Sequence, residues 1–451
     1  MQESLVHGTD QLRHESRHSF AQRIVVWMEA LLELRASTMI GVVLTSLLPL
    51  ALVWCWWLLP PAVRDRRALY IVLVGYAARL MAADFVHRFQ FFTNGSGENA
   101  DSGAYENMGR IIARLWVFSG VHYVTATELP AMADTSLPAN LFALVQYLNT
   151  EPTHLGCTAF AAVAGCLAAL NVYALAHDLG CRHVAGLWTL FAVTFLPTFF
   201  FYTADTYKDG LVACFVFGAL GSAIRLARRF SAIQLLLGLV CLGALWLTRF
   251  YLVFIMTGPL IIGLLGVRSK SFGRIAATVV LLGISVIGTV AYSTTLFEAS
   301  DRATQAFAAG TSDAAISENS EGGAGVVISG SGPRAFALKL AYALFSPFPW
   351  QSGSIALNLA KVEMILWYYF AYRALRSLRT MWSRRRSDAF LFALFVVPTI
   401  IAYTLSFSNV GLVVRERLCI VLATILLASL SWGTVAEDDS QRLASAPTPA
   451  E

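Results

Sequence analysis

Charge is what this chain has least of. Only 14% of its 451 residues are Asp, Glu, Lys or Arg, where a soluble globular domain carries about a quarter, and that shortfall excludes an ordinary soluble domain. No CxxC pair occurs among the seven cysteines, Cys55, Cys157, Cys166, Cys181, Cys214, Cys241 and Cys419. All seven lie in or beside apolar runs, so they read as small buried hydrophobes rather than disulfide partners or metal ligands. There is no glycine-rich loop of the soluble nucleotide-binding kind, and no repeat of fixed period. The N-terminal segment lacks the pattern of a cleavable signal peptide. Its Phe20 to Leu34 part places Ile24, Met28, Leu31 and Leu32 on one face with charge opposite, which predicts an interfacial helix.

What is present is apolar length. Hydrophobic residues make up 57% of the chain and mean hydropathy is +0.62, the signature of a polytopic all-α membrane protein. A spanning helix needs about 20 apolar residues. That ruler predicts eleven spans, at roughly 38–59, 69–87, 157–177, 185–203, 210–226, 232–248, 250–267, 275–295, 356–373, 388–406 and 417–433. Residues 1–37 precede them as a polar segment and 434–451 follow as a tail.

The connections sort by charge. Arg64, Arg66 and Arg67 follow the first span, Arg225, Arg228 and Arg229 the fifth, Arg268, Lys270 and Arg274 the seventh, and Arg376, Arg379, Arg384, Arg385 and Arg386 the ninth. All four basic connections fall on one side, which the positive-inside rule makes cytoplasmic. The net charge of +5 therefore reads as an orientation signal, not as affinity for nucleic acid. The two long connections, about 88–156 and 296–355, then lie outside. The segment from Ser300 to Pro333 is rich in Ser, Gly, Ala and Asp, a composition that fits either a plain linker or a lid over a substrate.

Two features of the outer side carry chemistry. The first is acidic: Glu98, Asp101 and Glu106 stand at the start of a predicted amphipathic helix running to about Trp116. Tyr105, Met108, Ile112 and Trp116 form its apolar stripe, with Glu106, Arg110 and Arg114 opposite. That pattern predicts a helix lying flat on the membrane surface. Asp101 or Ser102 also suits a helix N-cap, and Glu106 has an ordinary partner in Arg110 four residues on.

The second feature is basic. Lys208, Arg249, Arg415 and Arg417 all stand at outer helix ends, against the positive-inside trend. A shared anionic ligand such as a phosphate would account for them. His87, His122 and His154 form no spaced pair with a second His or Cys, so the sequence makes no cofactor certain and leaves a divalent metal open without indicating one.

An outward carboxylate with outward cations suits transfer of a sugar from a polyprenyl phosphate. The carboxylate takes the proton of an acceptor hydroxyl, and the cations hold the departing lipid phosphate. The pieces Asp101-Ser102-Gly103-Ala104-Tyr105, Tyr202 through Lys208-Asp209, Arg249-Phe250-Tyr251, Ser346-Pro347-Phe348-Pro349-Trp350, Glu363 with Trp367-Tyr368, and Asn409-Val410-Gly411 with Arg415-Glu416-Arg417 resemble the GT-C superfamily of membrane glycosyltransferases. The nearest likeness within it is to bacterial relatives of protein O-mannosyltransferases and lipid A aminoarabinose transferases.

The resemblance implies a GT-C-like fold with juxtamembrane helices in the first outer loop. It implies catalytic roles for Asp101 and Glu106, donor-phosphate binding by Lys208, Arg249, Arg415 and Arg417, and a substrate pocket including Tyr105, Tyr202, Tyr251 and Trp350. Asp101-Ser102 stands where many relatives carry an Asp-Glu pair, which passes any second-carboxylate role to Glu98 or Glu106. The implied partners are a polyprenyl-phosphate-linked sugar, a glycan, lipid or protein acceptor, and membrane lipids. The implied location is a bacterial inner membrane with the site facing the exterior. An O-antigen-type polysaccharide polymerase or ligase and a lipid-linked sugar transporter are the alternatives.

Overall fold

The structure is a computed structural model that describes residues 39–89, 101–129, 132, 135–149, 153–266, 333–350, 355–405 and 414–432. Among the described residues it is helical, with no strand. The helices are α1 (Met39–Trp57), α2 (Arg66–Phe89), α3 (Asp101–Ser119), α4 (Ser136–Leu148), α5 (His154–Asp178), α6 (His183–Thr194), α7 (Pro197–Thr203), α8 (Asp209–Arg228), α9 (Ala232–Trp246), α10 (Tyr251–Leu265), α11 (Pro333–Phe345), α12 (Ile355–Arg384), α13 (Arg386–Leu405) and α14 (Leu418–Ser429). The predicted helix within 20–34, Glu98, the predicted span 275–295, residues 300–332 and Asn409 to Gly411 lie outside the described residues.

Among the described residues four helices are long and apolar enough to cross a membrane: α2 over 66–86, α5, α8, and α13 over 386–404; the bent pair α6–α7 makes a fifth if it counts as one span. The apolar stretches 45–57, 232–246, 251–265 and 418–432 are helical but shorter. The predicted ninth span lies within α12, which continues through the basic residues to Arg384.

Small residues explain the centre. α5 reads TAFAAVAGCLAAL along its length, so neighbours approach closely without losing contact area, as small residues allow in membranes. α5 is 83% buried and α8 72% buried over their apolar windows, while α2 is only 28% buried. The first two form the axis and α2 lies at the rim. α14 completes the axis, buried from Leu418 to Ser429. α1, α2 and α6 pack on α5, α9 and α10 on α8, α13 on α10, and α12 on α14. Thr153 caps α5, its hydroxyl accepting from the Gly156 N–H at 3.2 Å; Asp65 caps α2 by accepting from the Arg67 N–H at 2.8 Å.

The predicted span 185–203 is broken. Pro197 supplies no N–H and disfavours helix at the preceding residue, so α6 and α7 meet at a bend of 57°. Polar side chains satisfy the break. Arg79 of α2, fully buried, donates to Thr194 O at 2.9 Å, to Thr203 Oγ1 at 2.7 Å and to Gly75 O at 3.0 Å. On the far side of the bend, Glu363 of α12 accepts from the Thr198 N–H at 2.6 Å and the Thr198 hydroxyl at 2.5 Å.

The connections gather at two ends. At one end Tyr173 donates to Val63 O at 2.8 Å, His183 pairs with Asp65 at 2.6 Å, Arg225 with Asp178 at 2.8 Å and Arg228 with Asp388 at 2.6 Å. Arg373 joins this end by holding Ser431. These are the connections predicted to share the basic side. At the other end the Thr206 hydroxyl donates to Ser102 O at 3.0 Å, the Leu137 N–H to Leu247 O at 3.0 Å and Arg417 to Ser346 O at 2.5 Å. Residues 101 and 415 therefore belong to the same end.

The first outer loop departs from a helix lying alone. α3 pairs with α4, and Tyr105, Ile112 and Trp116 are buried against Phe142, Ala139 and Ala143 instead of facing lipid. Gly109 permits the approach, since a Cβ there would sit 2.9 Å from the Cβ of Phe142 and 3.1 Å from the Ala143 nitrogen. The outward face of the pair instead presents Ile111, Leu115, Val117 and Phe118.

Candidate functional site

α8 starts with an acid at its positive end, a favourable place for a carboxylate, and that acid organises the cations. Asp209 is buried. Arg415 Nε lies 2.5 Å from Asp209 Oδ2, and Arg249 Nη2 lies 3.6 Å from Oδ1. Two guanidiniums from widely separated connections thus flank one carboxylate. Lys208 precedes it in the chain.

Each cation also lies near an aromatic ring. Arg415 is 4.8 Å from the ring centre of Tyr207 and 6.0 Å from that of Tyr202, Arg249 is 5.9 Å from Tyr251, and the Lys208 ammonium is 5.4 Å from Tyr105. Such faces attract a desolvated cation. Glu416 joins the cluster: burial pushes its carboxyl pKa up, the charges of Arg249, Arg415 and Lys208 oppose that, and the net direction is upward. Lys208, Arg249 and Arg415 thus gather with the carboxyl groups of Asp209 and Glu416, and cations of this kind can hold an anionic ligand such as a phosphate.

Three of the four predicted phosphate-binding residues, Lys208, Arg249 and Arg415, come together. Arg417 does not join them. Its guanidinium donates to Leu344 O at 3.3 Å and Ser346 O at 2.5 Å and lies 5.6 Å from the Trp367 ring centre. Residues two apart on a helix point about 200° from each other, so Arg415 and Arg417 serve opposite sides of one turn. Of the predicted pocket aromatics, Tyr105, Tyr202 and Tyr251 meet the cations. Trp350 is 77% exposed and stacks on Phe348 with the rings 4.9 Å apart.

Asp101 opens α3, and the Ser102 carbonyl beside it accepts from Thr206, three residues before Asp209. The acidic stretch and the cation cluster are neighbours through this bond. Glu106 is buried and uses both oxygens, Oε1 with Arg110 at 2.7 Å and Oε2 with His154 Nδ1 at 2.7 Å. Burial would raise its pKa, but the hydrogen bonds and charges of His154 and Arg110 carry it below the ordinary carboxylate value. His154 Nε2 lies 3.7 Å from Asp205 Oδ1. Glu106, His154 and Asp205 thus form an acid–imidazole–acid chain linking α3, α5 and the segment before α8.

Sequence reasoning missed Asp209 and His154 in these roles. An acid directly after a lysine reads as a helix start, and the sequence offers His154 only as a metal ligand. The available signal for Asp209 was the need of several semi-buried cations for a counter-charge. Among the described residues no group of three or more His, Cys, Asp or Glu side chains is placed to hold a metal ion. Set against family models, curated proteins and solved structures, the chain matches none, and its likeness to the GT-C superfamily stands as a resemblance of motifs.

Proposed function

We propose that the chain is a membrane glycosyltransferase that passes a sugar from a polyprenyl-phosphate donor to an acceptor hydroxyl on the outer face of a bacterial inner membrane. One observation supports this above the others: Arg249 and Arg415 converge on Asp209, with Lys208 beside it in the chain and near Glu416, at the same end of the bundle as the start of α3, which carries Asp101.

In this reading Asp101 accepts the proton of the acceptor hydroxyl. The oxygen forms a bond to the anomeric carbon as the bond from that carbon to the phosphate oxygen breaks. The electron pair leaves with the polyprenyl phosphate, whose charge is met by Lys208, Arg249 and Arg415. Asp209 holds the two guanidiniums at the start of α8, and Glu106 positions α3 through His154.

The test begins with mass spectrometry of lipid-linked and surface glycans from cells with and without the gene, to identify the sugar that is lost. Transfer is then measured with the purified chain and that donor. Asp101→Asn is expected to lower transfer by roughly 10²- to 10⁴-fold, and Lys208→Ala to raise KM for the donor. Unchanged transfer by Asp101→Asn would point to a polymerase or ligase that relies on arginines. The bent pair α6–α7 favours a second reading, a transporter, because interrupted helices mark many transport sites. Movement of a labelled lipid-linked sugar in proteoliposomes without covalent transfer would establish it.

A further inference from the structure

α12 is longer than a span requires, and the extra length carries charge. Its 30 residues rise about 45 Å, against about 30 Å for a hydrocarbon core, so the helix runs on beyond the core at the basic end. One side, with Met364, Trp367, Ala374 and Met381, is buried in the bundle. On the other, Val362, Ile365, Tyr369, Tyr372, Arg376 and Arg379 recur at alternating steps of three and four residues, which sets them in one row along the helix. The first four are 60%, 69%, 48% and 59% exposed, and both arginines are exposed. The row is thus apolar for about 15 Å and cationic at its end.

We propose that this row holds an anionic phospholipid of the leaflet at the basic end, with its phosphate between Arg376 and Arg379 and an acyl chain along Tyr372, Tyr369, Ile365 and Val362. The site is independent of the proposed reaction. From Met364 to Arg384 α12 contains no Asp or Glu. The carboxylates of this end have other partners: Asp65 pairs with His183, Asp178 with Arg225 and Asp388 with Arg228. Among the described residues neither Arg376 nor Arg379 belongs to an ion pair. The Arg376 guanidinium lies 5.9 Å from the Tyr372 ring centre, which steadies it where the apolar part of the row ends. Arg373, at the edge of the row, donates to the Ser431 hydroxyl and carbonyl at 2.6 and 2.8 Å. It fixes α12 to the turn after α14 and leaves the headgroup to the other two arginines.

The occupant follows from the continuity of the row. A soluble acidic partner could reach Arg376 and Arg379 but not the apolar positions before them, which in a membrane meet hydrocarbon. A lipid reaches both, because its phosphate and its chain are joined. Each guanidinium can give two N–H groups to one phosphate, and a cation near an anionic membrane surface strengthens binding about fivefold.

The test uses the full chain in nanodiscs of phosphatidylcholine containing rising fractions of phosphatidylglycerol, with retained lipid counted by native mass spectrometry. Phosphatidylglycerol should be retained in preference to phosphatidylcholine. Arg376→Gln and Arg379→Gln should each lower that preference about fivefold, and together roughly 30-fold. Arg376→Lys keeps the charge and should stay within about twofold of the parent. Arg66→Gln, exposed at the same end at the start of α2, should also stay within about twofold, whereas diffuse attraction would give the full loss there too. Glycerol phosphate in solution, which has the charge of the headgroup without the chains, should leave the bound lipid in place. Equal retention of the two lipids, an equal loss with Arg66→Gln, or displacement by glycerol phosphate would overturn the proposal.

Discussion

Asp209 is one carboxylate shared by two arginines, and removing it takes from both a buried counter-charge. Breaking a buried ion pair by deleting one partner costs about 3–5 kcal/mol, so Asp209→Ala should lower unfolding stability in detergent by that order. Combining it with Arg415→Met should recover part of the loss. Glu106 gives a separate, pH-dependent prediction. Its folded pKa lies below the ordinary value, so its contribution is fully present above the unfolded value of about 4.3 and fades as pH falls through the lower folded value. The stability gap between the parent and Glu106→Gln should therefore be largest near neutrality and close in acid; a gap unchanged down to the acid limit would contradict the pairing. At this scale the cations were legible because Lys208, Arg249 and Arg415 stand at the end of the bundle away from the arginine-rich connections. The grouping of Arg417 with them was not a safe extension, since nearness in sequence says nothing of direction around a helix, and its carbonyl partners Leu344 and Ser346 lie some seventy positions away.

At the scale of elements, the broken span α6–α7 is the part most dependent on its neighbours. Pro197 makes the bend legible in principle, but a run of apolar residues through 185–203 hides it, because hydropathy counts side chains and not missing N–H groups. What could not be read was the supply of polar partners from α2 and α12, more than a hundred positions away in each direction. Thr203→Val is isosteric and removes the Arg79 Nε acceptor, so it should cost about 1.5–3 kcal/mol, measured by thermal unfolding of the detergent-solubilised chain. A negligible effect would mean that the guanidinium finds another acceptor at no cost. The α3–α4 pair teaches a related lesson. The period of Tyr105, Ile112 and Trp116 marked one face as apolar, but period alone does not distinguish a membrane surface from a second helix, and α4 took that face. Helix positions over α5 and α8 were legible almost to their ends, because long uninterrupted apolar runs bounded by charge leave little choice.

At the scale of the whole molecule, the separation into a basic end and a site end follows the alternation of short arginine-rich connections with other ones. Labelling tests it directly. With a membrane-impermeant thiol reagent, Val121→Cys at the site end and Arg379→Cys at the basic end should react from opposite faces of the membrane. Five of the seven natural cysteines are buried and two partly buried, so the background should be low. Reaction of both positions from one face would overturn the arrangement. Arg79, finally, gives the interior a fixed electrical character. Its acceptors among the described residues, Gly75 O, Thr194 O, Thr203 Oγ1 and Cys166 Sγ, are all neutral, so its charge is spread over dipoles and not cancelled. A monovalent cation brought to about 4 Å from it would be repelled by about 4 kcal/mol at an effective dielectric constant of 20. The seam between α2, α5 and α7 is in effect insulated against sodium or hydronium, and any current of such ions through this bundle would have to find a different path.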